Sequence, residues 1–279
     1  MFGPSPDRRA PLSADDYRRF EEQGYLHLGH LLSDETLEGL RDRITDLMLG
    51  RVSYPGMFFQ LDTKTGRYED VDASSEIWAG PTLNYRKVKD LEFDDRFLAF
   101  MQNDVFCALA ERYIGTSVAS MRAMVLNKPA RSGTLLPYHQ DISDRWEMTA
   151  PPVLTIWTAL DDATRTNGCL EIVPRSHLHG QIGSGHTMTP EEEARYAPPG
   201  SSRFLELKAG ESVVFHNALL HRSGLNATDR PRRAFTLCLM AGSTRHTKTN
   251  RTYPLIFGPG ALTVEGVRGV RRIPSHVYQ

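Results

Sequence analysis

The chain has 279 residues, of which 40% are hydrophobic and 24% charged, and its 33 basic residues nearly cancel its 34 acidic ones. A chain this long buries roughly 75% of its unfolded surface, so a sizeable core is expected. The net charge of -1 gives no basis for a nucleic-acid partner, and no run approaches the roughly 18 apolar residues that cross a bilayer.

The opening MFGPSPDRRAPL carries no apolar stretch of secretory type, and residues 1–11 read as a disordered lead. Ser13 and Asp16 form a helix-start pair, the spacing predicts a helix from Ala14 to Gln23, and Gly24 stops it. Tyr25–Leu28 is a short strand. Ser33 caps a second helix whose Leu37, Leu40, Ile44 and Leu47 share one face. Residues 50–80 lack periodicity and read as a long loop. A third helix is predicted from about Asp95 to Ile114. From Ser120 the texture changes to short apolar runs, MRAMVLN, VLTIWTAL, CLEIV, SVVFH and AFTLCLM. Between them stand breakers such as Pro129, Pro137, Pro151-Pro152, Asn167-Gly168 and Gly210, the pattern of an all-β sandwich or barrel. Cys107, Cys169 and Cys238 are odd in number and far apart, which argues against a disulfide framework and points to a reducing cytoplasm.

The chemistry concentrates in LPYHQDIS. Residues two apart in a strand share a face, so His139 and Asp141 present an imidazole and a carboxylate side by side, with Gln140 directed away. One more imidazole completes the 2-His-1-carboxylate triad of non-heme Fe(II) oxygenases, whose open positions admit a bidentate cosubstrate and O2. His221, among 10 histidines, is chosen for its setting in FHNALLHRSGLNATDRPRRAF, after one predicted strand and before another that opens with Arg232. Arginine's planar fork suits a carboxylate. Arg232 shares its strand face with Ala234, Thr236 and Cys238, whose small side chains leave a cavity, whereas Arg233 faces the other way with Phe235 and Leu237. Arg232 is thus expected to clamp the distal carboxylate of 2-oxoglutarate. The plain alternatives are a surface His139–Asp141 pair, a core His221 and a solvated Arg232. His177 and His179 in SHLHG form a rival pair without a matching carboxylate, and His177 reads as structural.

With LNKPARSG, YHQD, WTALDDATRTNGCLEIVPRSH and VVFHNALLHRSGLNATDRPRRAF, the chain resembles the phytanoyl-CoA dioxygenase family of Fe(II)/2-oxoglutarate oxygenases from about Leu12 to Gly242. The resemblance implies a mainly β fold with flanking helices around a double-stranded β-helix (jelly-roll, cupin-like) core. No linker is evident, so residues 1–279 are expected to form one domain, with a mostly helical flank (12–115), the core (116–245) and a C-terminal extension (246–279). It further implies Fe(II), 2-oxoglutarate and O2 as cofactors, with His139, Asp141 and His221 as iron ligands. Arg232 and Ser223 match cosubstrate-holding positions, and Trp157, Met124 and Lys87 match positions lining the same pocket. Halogenases resembling this family replace the ligand carboxylate by a small residue. The intact Asp141 therefore implies oxygenation.

The substrate is expected to be a small molecule. The loop at 55–80 carries Asp62, Glu69, Asp70, Asp72 and Glu76, and Asp144 and Glu147 follow the metal tripeptide. If these carboxylates form the mouth, they suit a cationic, amino-sugar-like secondary metabolite; if they are merely solvated, they carry no information. Asp144, Trp146 and Phe58 are the candidate substrate contacts. The alternatives are 2-hydroxylation of an acyl-CoA or lipid-like substrate and, in another class, a non-catalytic jelly-roll binding module.

Overall fold

The computed structural model describes residues 11–71, 77–183, 185 and 187–273. The expected disordered lead therefore falls, but for its last residue, outside the described residues. In chain order the elements are α1 (Ala14–Gln23), β1 (Tyr25–His30), α2 (Asp34–Met48), β2 (Phe59–Leu61), β3 (Tyr85–Lys89), α3 (Asp95–Met101), α4 (Asp104–Tyr113), β4 (Val118–Lys128), β5 (Leu136–His139), β6 (Leu154–Ala159), β7 (Leu170–Ile172), α5 (Pro190–Tyr196), β8 (Arg203–Leu205), β9 (Glu211–His216), β10 (His221–Ser223), β11 (Arg232–Ala241), β12 (Leu255–Phe257) and α6 (Val264–Arg268).

The strands form two antiparallel sheets. The larger runs β1-β9-β6-β11-β4-β3-β2, with β12 also on β4, and the smaller runs β5-β10-β7-β8. This is the jelly-roll core. One face of the large sheet meets the helices: Phe235 of β11 packs against Phe97 of α3 and Phe100 at 5.2 and 6.0 Å between ring centroids. The other face turns toward the small sheet and carries Met124, Trp157 and Thr236, which are cross-strand neighbours in β4, β6 and β11.

Local chemistry fixes the ends of the elements. Ser13 and Asp16 form the reciprocal capping box of α1, and Gly24 ends it in the left-handed region. Ser33 caps α2, which buries Leu37, Leu40, Ile44 and Leu47. The helix expected over Asp95–Ile114 is instead two helices. The Asn103 side chain accepts the N–H groups of Val105 and Phe106 and starts α4 afresh, a local bond that competes with continuing α3. The stretch read as loop over 50–80 contains β2. The flank expected to be mostly helical contributes β1, β2 and β3 to the large sheet. Pro137, read as a breaker, lies inside β5, which is tolerated because β5 is an edge strand of the small sheet.

Candidate active site

His139 ends β5 and His221 opens β10, and the antiparallel register pairs them directly. Both are buried, with ring centroids 4.1 Å apart. Each Nδ1 lies 2.9 Å from the carbonyl two residues earlier, Pro137 O and Leu219 O respectively. A carbonyl can only accept, so each Nδ1 carries the proton and each Nε2 carries the lone pair that a metal takes.

Asp141 is also buried. It lies two residues past the end of β5, so the expected continuous strand stops at His139 and another device must hold the carboxylate. Asn217 provides it. The Asp141 N–H donates to Asn217 O at 2.8 Å, and Asn217 Nδ2 donates to Asp141 O at 3.1 Å. Thr155 Oγ1 donates to Asp141 Oδ2 at 3.2 Å, and the Arg122 guanidinium pairs with Oδ1. Gln140 points away, as expected, and its amide bonds Gly180 O, Ala218 O and the Ile182 N–H. His221 Nε2 is 3.8 Å from Asp141 Oδ2, and one ligand atom from each of the three residues falls within 4.8 Å of the others. Two imidazoles and a carboxylate at this spacing suit a divalent transition metal.

The triad lines one cavity together with Arg232, Ser223, Trp157, Lys87 and Met124. Every residue expected around the cosubstrate thus reaches the same space. Arg86, Lys87, Arg122 and Arg232 give that lining four basic side chains against the single carboxylate of Asp141. Burial first, and then Arg86, Lys89 and Arg122, push the Lys87 ammonium well below its usual pKa. Arg232 is buried, donates from one terminal nitrogen to Gly168 O at 2.8 Å and lies 5.5 Å from the Trp157 ring centroid. Its Nε and the Trp157 Nε1 are buried donors without a partner among the described residues. Such donors are costly unless something accepts from them. A dicarboxylate chelated to the metal fits this lining.

Phe58 and Trp146, two of the three expected substrate contacts, line a neighbouring cavity with Lys89, Arg122 and Arg251. Asp144 lines neither cavity and is exposed in a 3-10 turn. Of the carboxylates expected at the mouth, Asp62, Glu69, Asp70, Asp144 and Glu147 line neither cavity. Asp62 accepts from Thr134, Asp70 from Thr65 and Arg67, and Glu147 pairs with Lys248 and His246. Glu69 lies 3.8 Å from Arg67, while Asp72 and Glu76 lie outside the described residues. The cavity next to the metal site is lined by cations that the sequence reading did not single out. Arg122 and Arg251 sit in strand and extension contexts that carry no motif.

The rival histidines lie apart. His177 Nε2 is 3.0 Å from Glu21 O, at the end of α1, and its ring lies 5.5 Å from that of His216. His179 meets the Tyr196 ring edge-to-face at 5.1 Å between centroids. His177 thus packs between α1 and His216, outside the metal triad.

The family model described as Phytanoyl-CoA dioxygenase (PhyH) matches residues 20–234. The rat protein "Phytanoyl-CoA dioxygenase, peroxisomal" is 25% identical over 235 residues, covering 81% of this chain and 67% of that one. Among solved structures, EctD from S. alaskensis, crystallised with 2-oxoglutarate and 5-hydroxyectoine, superposes with a TM-score of 0.66 at 19% identity, covering 98% of this chain and 92% of that one. SnoK, a non-heme alpha ketoglutarate dependent carbocyclase from nogalamycin biosynthesis, gives a TM-score of 0.63 at 18% identity, covering 88% and 90%.

Proposed function

The chain belongs to the phytanoyl-CoA dioxygenase family and is an Fe(II)/2-oxoglutarate-dependent dioxygenase with O2 as co-substrate; we propose that it oxidises an unactivated C–H bond of a small polar molecule, by hydroxylation or oxidative cyclisation, as a tailoring step in secondary metabolism. The observation that carries the reading is the sharing of one cavity by the His139–Asp141–His221 cluster and by Arg232, whose Nε has no partner among the described residues. A zinc hydrolase can use the same three ligands but has no use for a buried arginine donor opposite them.

His139, Asp141 and His221 hold the iron. Arg232 and Ser223 receive the far carboxylate of 2-oxoglutarate, and Lys87, Met124 and Trp157 shape its pocket. When bound, the metal and cosubstrate supply the oxidising chemistry, converting 2-oxoglutarate and O2 to succinate and CO2 while one oxygen atom is available to the substrate. The protein's part is to fix the ligand tautomers through Pro137 O and Leu219 O, to hold the cosubstrate in one orientation and to keep the site buried from bulk water. The SnoK neighbour, from nogalamycin biosynthesis, supports a role in small-molecule biosynthesis through fold likeness alone. A cytoplasmic location accords with the three free cysteines.

A second reading, 2-hydroxylation of an acyl-CoA, is favoured by the cationic lining of the neighbouring cavity. The test is succinate formation by the Fe(II)-loaded protein under air, followed across candidate substrates by mass spectrometry for a gain of one oxygen or a loss of two hydrogens. Wild-type protein is expected to make succinate and His139→Ala none. Equal turnover by the variant overturns the assignment. A thermal shift specific to coenzyme A thioesters selects the second reading.

A further inference from the structure

A second cavity of about 350 Å³ adjoins the metal site, a size that suits a small molecule. Arg122 lines both spaces, so a molecule held in the outer one lies next to the inner one. The wall is built from distant parts of the chain. The register of β4 against β11 slips between Cys238 and Leu239, where Arg122 and Ser120 are the successive partners. Met121 is therefore the extra residue of a bulge, and both Met121 and Arg122 line the outer cavity. The opposite wall is His246, Arg251, Thr252, Tyr253 and Pro254. It is held against the 143–149 loop by the Met148–His246 bridge and the Thr149–Arg245 backbone bond, and it lies beyond the segment matched by the family model.

Three cations line this cavity, each over an aromatic ring. Lys89 Nζ lies 3.7 Å from the Phe58 centroid, Arg122 Cζ 5.2 Å from Trp146 and Arg251 Cζ 5.0 Å from Tyr253. Rings under the cations limit the rotamers they must give up on binding. The lining holds two acids. The Asp90 carboxylate accepts the Phe58 N–H. Burial, reinforced by Asp90, pushes Glu92 up to about 8, so it is largely uncharged at neutral pH. Arg122 Nε is buried without a partner among the described residues. Arg122 also pairs with the Asp141 carboxylate, so the three cations face Asp90 and Asp141 with one positive charge in surplus, and surplus positive charge between low-dielectric walls concentrates anions.

We infer that this outer cavity binds an oxyanionic group of the substrate, a carboxylate or a phosphate ester attached to an apolar or aromatic moiety, with Lys89, Arg122 and Arg251 as its receptors. The carbon to be oxidised then lies on the Arg122 side, toward the metal. The inference rests on the neighbouring site being the oxygenase centre, and it replaces a cationic substrate by an anionic one.

The test is isothermal titration of the full chain, loaded with Zn(II) and 2-oxoglutarate, with benzoate, phenyl phosphate and the neutral benzyl alcohol. At least one anion is expected to bind about tenfold or more tightly than the alcohol, and the stronger of the two distinguishes a carboxylate from a phosphate source. Lys89→Gln and Arg251→Gln, each checked for an unchanged melting temperature, are expected to lose most of that preference; if one fails to fold, the other carries the comparison. Three outcomes overturn the inference: benzyl alcohol binding as tightly as both anions, no anion binding at millimolar concentration, or the preference persisting in the folded variants. Succinate formation by wild-type protein is measured separately. Its absence sinks the oxygenase reading and leaves the anion preference untouched, so the two failures are distinguishable.

Discussion

His139 and His221 are cross-strand partners, and each orients its ring by the same device, an Nδ1 proton given to the carbonyl two residues earlier. Asp141 has no such symmetry and depends on side chains from other strands. The single hydroxyl proton of Thr155 in β6 is shared between Asp141 Oδ2 and Asn217 Oδ1, tying the carboxylate to the residue that also fixes its backbone. Thr155→Val keeps the shape and removes both bonds. Metal affinity is expected to fall by about tenfold, within the range for lost outer partners of a ligand. Titration with Fe(II) or Co(II) under anaerobic conditions measures it, and an unchanged affinity means that Asn217 and Arg122 alone orient Asp141.

In the proposed reading Arg232 answers for the cosubstrate rather than the metal. Its Nε has no partner among the described residues, and its guanidinium already bonds Gly168 O. Arg232→Gln is expected to raise the KM for 2-oxoglutarate by about 30-fold or more, since loss of one partner of a buried charge pair costs about 2 kcal/mol or more. Metal affinity measured without 2-oxoglutarate separates this from damage to the triad, because the loss should appear only once cosubstrate is present.

The extent to which the site was legible follows from how local each signal is. His139, Asp141 and His221 sit in short motifs on or beside strands, and their metal chemistry could be read without the fold. β3 was not read as a strand, because Arg86, Lys87 and Lys89 look solvated, yet all three line the two cavities. A strand that turns cations inward to meet an anionic ligand loses the apolar alternation by which strands are recognised. The outer wall is harder still. Arg251 reaches it through long-range pairing of the C-terminal extension with the 143–149 loop, and no local pattern encodes that contact. The split between α3 and α4 turned on one asparagine cap inside an otherwise helical apolar pattern.

Gly24 joins α1 to the histidine that was set aside as structural. It ends the helix at φ 81°, and a Cβ there would lie 2.4 Å from His177 Nδ1. Gly24→Ala therefore meets both a backbone penalty and a ring clash. A loss of about 2–3 kcal/mol is expected, seen as a melting temperature lower by roughly 4–12 °C for a domain of this size. Pairing it with His177→Ala relieves the clash and leaves the backbone penalty. The double variant should therefore melt above the Gly24 single variant once the cost of His177→Ala alone is allowed for. If that correction leaves no recovery, the ring is not what the added methyl meets.

Glu92 gives stability a pH dependence that runs against ordinary acid denaturation. Burial, then Asp90, raises its folded-state pKa to about 8 from the ordinary 4.5, so the folded chain holds a proton that the unfolded chain has released. Between those values the native state binds more protons than the unfolded state. The contribution of Glu92 is therefore complete below about 4.5, declines as pH rises and stops declining above about 8. The slope is at most about 1.4 kcal/mol per pH unit. Glu92→Gln keeps a neutral side chain of similar shape at every pH. Denaturant unfolding from pH 5 to pH 8 should show the wild type losing stability relative to the variant, with the two curves parallel above pH 9. Parallel curves across the whole range mean that Glu92 is ionised in the folded protein, which would add a second negative charge to the cavity it lines with Lys89 and Arg122.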